Sequence, residues 1–149
     1  MSRLPRAQEY LKTGFTAEAA SAARFREQAR REGIGELYLA LVHAPGMPPP
    51  AEWGFDAGLE FPPHNFAVAD VMHSVQLTNP DFRGKVWDYV YTARAALDRR
   101  LPEFRLFRGV MVGWDNTPRL PGNGHVFVNA HPANYQRWLA ALVAQAAKS

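Results

Sequence analysis

The sequence predicts an α/β fold with parallel strands and flanking helices, and three observations carry that expectation. Apolar runs dense enough for strands buried on both faces alternate with capped, amphipathic helical stretches. The connections between those runs are long enough for parallel pairing. Polar and aromatic residues cluster immediately after the runs, on the edge where β/α proteins carry their sites. With 149 residues, 47% hydrophobic and 21% charged, the chain is long and apolar enough to bury a core, so residues 1–149 read as a single α/β unit.

The elements follow in order. Thr16 reads as an N-cap, Glu18 complements the helix dipole in the first turn and Gly33 offers a left-handed stop, which predicts a helix over 17–32 with an alanine-rich packing face. Glu36 to Val42 reads as a buried strand with His43 at its C-terminal end. Pro45 to Pro50 holds four prolines and a glycine, so it is an ordered loop. A second strand runs from about Phe55 to Phe61, and Pro62 and Pro63 end it because neither has an N–H for the ladder. A long loop from His64 to Arg83 precedes a stripe of Val86, Val90, Ala93 and Leu97 at helical spacing, which Pro102 terminates. The third strand spans about Arg105 to Val112. Pro121 to Gly124 and the brief run Val126 to Val128 read as a glycine-hinged excursion. Pro132 suits the first turn of a last helix, with Tyr135, Trp138, Leu139, Leu142, Val143 and Ala146 on one stripe. Trp87 and Trp138 fall on the helix stripes and are assigned to the core.

Several function classes are disfavoured. The chain has no cysteine, which removes disulfides and thiolate metal sites. Seventeen basic residues are balanced by fourteen acidic ones, and Arg24, Arg26, Arg30 and Arg31 lie among Glu18, Glu27 and Glu32, a solvated helix face more than a phosphate track, so no nucleic-acid partner is expected. The start Met1 to Pro5 lacks the apolar core of a secretory signal, and no segment is long enough to span a membrane, so a cytoplasmic location is the expectation. Neither G-x-G-x-x-G, a Walker loop nor G-x-S-x-G is present, and no cofactor is expected.

Two strand ends concentrate the chemistry. The run from Trp53 to His64 delivers Asp56, Glu60 and His64, and the run after Val112 delivers Trp114, Asp115, Asn116 and Arg119. Glycoside chemistry needs two carboxyl groups about 5 to 5.5 Å apart for retention or about 6.5 to 9.5 Å for inversion. Asp56 and Glu60 share a strand and would stand roughly 13 Å apart, too far to pair. Glu60 and Asp115 end different strands and reach working range if those strands are neighbours at about 4.8 Å. Against this, Glu60 can be a structural acid paired with Arg108 or Arg119, and Asp115 to Pro118 is a turn signature in which Asp bonds local backbone. His73, His125 and His131 read as surface or capping histidines. His43 and His64 follow strands, but without H-E-x-x-H spacing no metal is assigned. Trp53 and Trp114 flank the two motifs and offer aromatic faces for a sugar ring, or plain core packing.

At these residues the chain resembles the WbsX-like family of polysaccharide-biosynthesis proteins, which is related to glycoside hydrolase family 99. The resemblance covers about Leu37 to Leu142 and rests on Gly54 to His64, on Phe107 to Val110 with Trp114 to Arg119, and on Pro132, Tyr135, Trp138 and Leu139. It implies a (β/α)8 barrel with a carbohydrate site at the strand ends, lined by Glu60, His64, Trp114, Asp115, Asn116 and Arg119. The family's paired glutamates are expected in an N-E-W-x-E-G motif, which this sequence does not contain. A barrel of this type needs roughly 250 residues, so the chain reads as a partial, central-to-late barrel segment. The implied function is glycan metabolism, catalytically incomplete in this chain, with Glu60 and Asp115 as candidate catalytic acids. The alternative is a non-catalytic glycan-binding or protein-interaction module, its open sheet edges covered by a partner chain or a second copy.

Overall fold

The computed structural model describes residues 19–64 and 66–148. After a helix over 19–31 (α1) come β1 (Ala40–Val42), β2 (Ala57–Leu59), β3 (Lys85–Asp88), α2 (Tyr89–Asp98), β4 (Leu106–Phe107), β5 (His125–Val128) and α3 (Pro132–Ala146). Every paired strand is parallel: one sheet has the order β1-β2-β4 and the other pairs β3 with β5. The predicted α/β class with parallel strands is therefore observed, and the described residues form no closed barrel. The chain divides into two compact units, Met1–Glu60 with Pro102–Phe107, and Phe61–Leu101 with Arg108–Ser149.

In the first unit, α1 buries Ala22 and Ala29, the small-residue face expected of it, while its proposed cap Thr16 and first-turn Glu18 lie outside the described residues. Arg26 of α1 donates to the carbonyl of Gly54 and, at 2.8 Å, to Asp56. Asp56 also accepts the N–H of Leu39 at 2.7 Å, and that bond, with Arg26 next, holds its carboxyl below the ordinary carboxylate value. This joint fixes where β1 and β2 start. Gly58 sits where a Cβ would stand 3.0 to 3.1 Å from Leu106, His43 and Phe104. The expected burial of the first strand on both faces is not seen: Tyr38 is 59% and Val42 48% exposed. Among the described residues β1 has a neighbouring strand on one side, and Tyr38 meets the edge of the Phe107 ring at 6.1 Å.

The structure corrects the sequence reading in three places. Val86 and Trp87 belong to β3, not to a helix. Their spacing to Val90 mimics a helical stripe, but the Asp88 carboxylate accepts the Tyr91 N–H at 2.7 Å and starts α2 one residue later. The glycine-hinged excursion is a true strand, with Lys85 opposite His125, Val86 opposite Val126, Trp87 opposite Phe127 and Asp88 opposite Val128. Gly84 and Gly124 open this ladder because a Cβ on Gly84 would lie 1.9 Å from the Gly124 carbonyl. The strand expected over Arg105 to Val112 is only Leu106–Phe107 in extent, since Met111 packs instead into the core with Tyr89, Ala93, Ala96, Phe127, Trp138 and Leu142.

Within that core the Tyr89 hydroxyl donates to the Met111 carbonyl at 2.7 Å. Pro132 stands in the first turn of α3 as expected, and His131 caps it by accepting the Ala133 N–H at 3.2 Å. Of the six-residue stripe expected on α3, Trp138 and Leu142 are buried whereas Leu139 and Val143 are 38% and 61% exposed. The buried arc is a narrow i, i+4 line.

Candidate binding cleft

The second unit holds a cleft of about 370 Å³, and its walls follow from the β3–β5 ladder. Residues two apart on a strand share a face, so β5 presents His125 and Phe127 on the side where β3 presents Trp87. The His125 ring stands edge-on to Trp87, 5.8 Å between centroids at 90°. The other side of β5 is clipped by the Trp114 to Arg119 turn. Phe127 N–H donates to the Trp114 carbonyl at 2.9 Å, Asn116 N–H donates to the His125 carbonyl at 3.2 Å, and the Asn116 side-chain oxygen accepts the His125 N–H. These bonds bring Trp114 and Asn116 to the cleft. His64, just after the two prolines, stacks on Phe61 at 5.6 Å with rings 1° from parallel and meets Trp114 edge-on at 5.7 Å. Pro63, Phe66 and Val68 complete the lining.

Of the residues expected at the site, His64, Trp114 and Asn116 meet in this cleft. Asp115 belongs to the same turn but does not line the cleft. One of its oxygens accepts both the Thr117 hydroxyl, at 2.7 Å, and the Thr117 N–H, at 2.8 Å. The hydroxyl and then the N–H hold its carboxyl below the ordinary carboxylate value. Arg119 is exposed, its N–H donating to the Asn116 carbonyl at 3.0 Å. Glu60 belongs to the first unit, where it follows β2, is 5% exposed, and donates its N–H to the Phe107 carbonyl at 2.9 Å. Trp53 is 6% exposed, which makes it a packing residue and not an open platform.

His43, the other strand-end histidine, holds the proline loop. Its Nε2 lies 3.2 and 3.1 Å from the Met47 and Pro48 carbonyls, so it carries the proton and donates. Among the described residues no three His, Cys, Asp or Glu side chains converge in a way that would hold a metal ion, and no helix is long and apolar enough to cross a membrane.

Trp87, His125 and Phe127 were not anticipated as site residues. The signal that finds them is the period-two pattern of 85–88 and 125–128, with a glycine directly before each run. In the cleft, two indoles and the Phe127 ring provide apolar walls, while the Asn116 amide and two imidazoles provide polar groups. Among the described residues no carboxylate lines it, and its titratable groups are the two imidazoles.

Comparison with known proteins agrees with the resemblance read from the motifs. The chain is 43% identical over 123 residues to the uncharacterized protein WxcX of Xanthomonas campestris pv. campestris strain B100, and equally to its counterpart in a second strain of that pathovar. The aligned stretch covers 83% of this chain and 18% of the relative, so the chain spans less than a fifth of the length of the curated relatives it matches. No solved structure matches. The family described as glycosyltransferase WbsX matches residues 9–149, and the chain belongs to that family.

Proposed function

We propose that this chain is a glycan-binding part of a carbohydrate-active protein in surface polysaccharide metabolism, and that the cleft of the second unit takes a sugar ring. The observation that carries this reading is the pair of tryptophans, Trp87 and Trp114, lining one open cleft with polar groups between them. Indole faces suit the C–H faces of a pyranose, and a few directed polar groups give orientation. Family membership supports the polysaccharide context. The parallel pairing of all the strands supports reading the chain as part of a (β/α)8 barrel of the glycoside hydrolase 99 type. A cytoplasmic location is part of the same proposal.

In isolation the chain binds without turnover. Glycoside chemistry uses two carboxyl groups, and positioned proton transfer contributes roughly 10²- to 10⁴-fold. The Asp115 carboxylate is engaged by Thr117, and among the described residues no carboxylate lines the cleft. Glu60, buried after β2, is retained as the candidate acid for substrate contact or catalysis. Calorimetry against a broad glycan panel should give heat that Trp87→Ala and Trp114→Ala abolish, and activated aryl glycosides should not be hydrolysed. Heat absent across the panel removes the glycan reading. Turnover that Glu60→Gln abolishes makes Glu60 catalytic and removes the claim of inactivity.

A second reading, an interaction module completed by a partner chain or a second copy, is favoured by the exposed apolar side chains Tyr38 and Val42 at the outer strand of the first unit. Sedimentation decides it: a compact monomer at high concentration counts against completion by a second copy.

A further inference from the structure

We propose that the sugar taken by the cleft is anionic, a pyranoside whose carboxylate or phosphate is held by His64, His125 and the Asn116 amide. This rests on the glycan reading above and adds the charge of the ligand. The argument is an inventory of hydrogen-bonding groups. A neutral sugar offers hydroxyls, each of which donates as well as accepts, so a site for it needs acceptors, most often carboxylates. Here several acceptors each already take one N–H, which leaves each of them half its capacity. The Trp114 carbonyl accepts Phe127 N–H, the His125 carbonyl accepts Asn116 N–H, and the Gly124 carbonyl accepts Lys85 N–H at 2.9 Å. The Asn116 side-chain oxygen accepts His125 N–H, and its NH₂ adds two donors.

The side chains on the walls are rich in donors. Indole N–H groups donate only, while an imidazole presents one N–H and one acceptor nitrogen when neutral and two N–H groups when protonated. No lining carboxylate opposes an anion. The nearby charges do not reverse this balance: Asp115 is turned to Thr117, and Asp70 is paired with Lys85 at 3.4 Å, Lys85 being the register partner of His125. An acceptor-rich anionic group satisfies such a set, and charge-assisted bonds are the stronger kind.

The test compares uronic-acid oligosaccharides of gluco, galacto and manno configuration with their methyl esters, which keep the shape and remove the charge, and with the matching sugar phosphates. Binding to the intact chain is followed by calorimetry and by the ring-proton resonances of His64 and His125. At least one acid or phosphate should bind about tenfold or more tighter than its uncharged counterpart, a difference worth roughly 1.4 kcal/mol. His64→Gln and His125→Gln should each reduce that preference while leaving the melting temperature unchanged. A uronate that binds where the phosphates do not identifies the carboxylate as the anion, and the reverse identifies a phosphosugar. Equal affinity for acid and ester, or tighter binding of the ester, overturns the anionic assignment while the glycan reading stands. If nothing in the panel binds, the glycan reading falls and this inference falls with it.

Discussion

Substitution of Gly124 by alanine tests the construction of the cleft from beneath. A Cβ there would stand 2.7 Å from both Cα and Cγ2 of Thr117 and 2.8 Å from its nitrogen. Two of those three atoms are backbone, so no rotamer change relieves the contact. Overpacking of this kind costs about 1–3 kcal/mol. Thr117 is also the residue that donates twice to Asp115, and displacing it weakens both bonds, at about 1 kcal/mol each. The expected loss is roughly 2–4 kcal/mol, or about 5–15 °C in Tm for a chain near this size. Because Asn116 and Trp114 lie on the same turn, glycan binding should weaken along with stability. Gly113→Ala is the control: its Cβ would meet only the Ala130 side chain at 3.2 Å, and a smaller loss is expected. Urea titration and thermal melts of both variants give the comparison. A Gly124→Ala protein within about 0.5 kcal/mol of the unsubstituted chain would refute the close approach of this turn to β5.

Three further outcomes follow from the second unit. Asp115→Asn should leave glycan binding within about twofold, because an amide oxygen can accept both Thr117 bonds, whereas Asp115→Ala should cost about 1 kcal/mol and loosen the turn; abolition of a catalysed reaction by the Asn variant would instead make the carboxylate a reacting group. The Asp115 carboxyl, held down by Thr117, should titrate below the ordinary range in a carbon-detected pH series, so its contribution to stability is present above the unfolded value and lost as pH falls through the folded one. Tyr89 moves the other way: burial, with Tyr135 nearby, raises its phenol from 10.0 to about 12. Its contribution is full below pH 10 and lost as pH rises toward about 12, a change of roughly 3 kcal/mol. Tyr89→Phe should remove that alkaline slope in urea titrations, and a slope that persists in the variant disproves the assignment.

The fold class, parallel pairing and the last helix were legible because each leaves a local mark: dense apolar runs, long connections, and Pro132 at a helix start. The boundary at Asp88 was not. Val86, Val90, Ala93 and Leu97 have perfect helical spacing, and periodicity alone cannot tell that the first of them belongs to a strand. The Asp88 side chain decides it, by capping α2 and receiving the Asn129 amide at 2.8 Å from a segment forty-one residues later. The same limit hid half of the cleft. His64, Trp114 and Asn116 sit in motifs with unusual composition, while Trp87, His125 and Phe127 become site residues only through the β3–β5 register, which is a long-range property.

The polarity of the cleft is a consequence of how its turn is held. To lie along β5, the Trp114 to Arg119 segment must satisfy backbone groups that a regular third strand would have paired, and it does so with its own acceptors: the Trp114 carbonyl, the Asn116 side-chain oxygen and the Asp115 carboxylate. The Trp114 carbonyl and the Asn116 oxygen used this way have less left for a ligand, because breaking the existing bond leaves an unsatisfied partner at about 1–3 kcal/mol. The backbone donors of the turn are engaged as well, Asn116 N–H by the His125 carbonyl and Thr117 N–H by Asp115, so the side-chain amide of Asn116 and the rings of His64 and His125 are the polar side chains that the cleft presents. The motif that reads in sequence as a possible acid-bearing strand end brings an indole and an amide to the cleft, while its carboxylate is bonded to Thr117 within the turn.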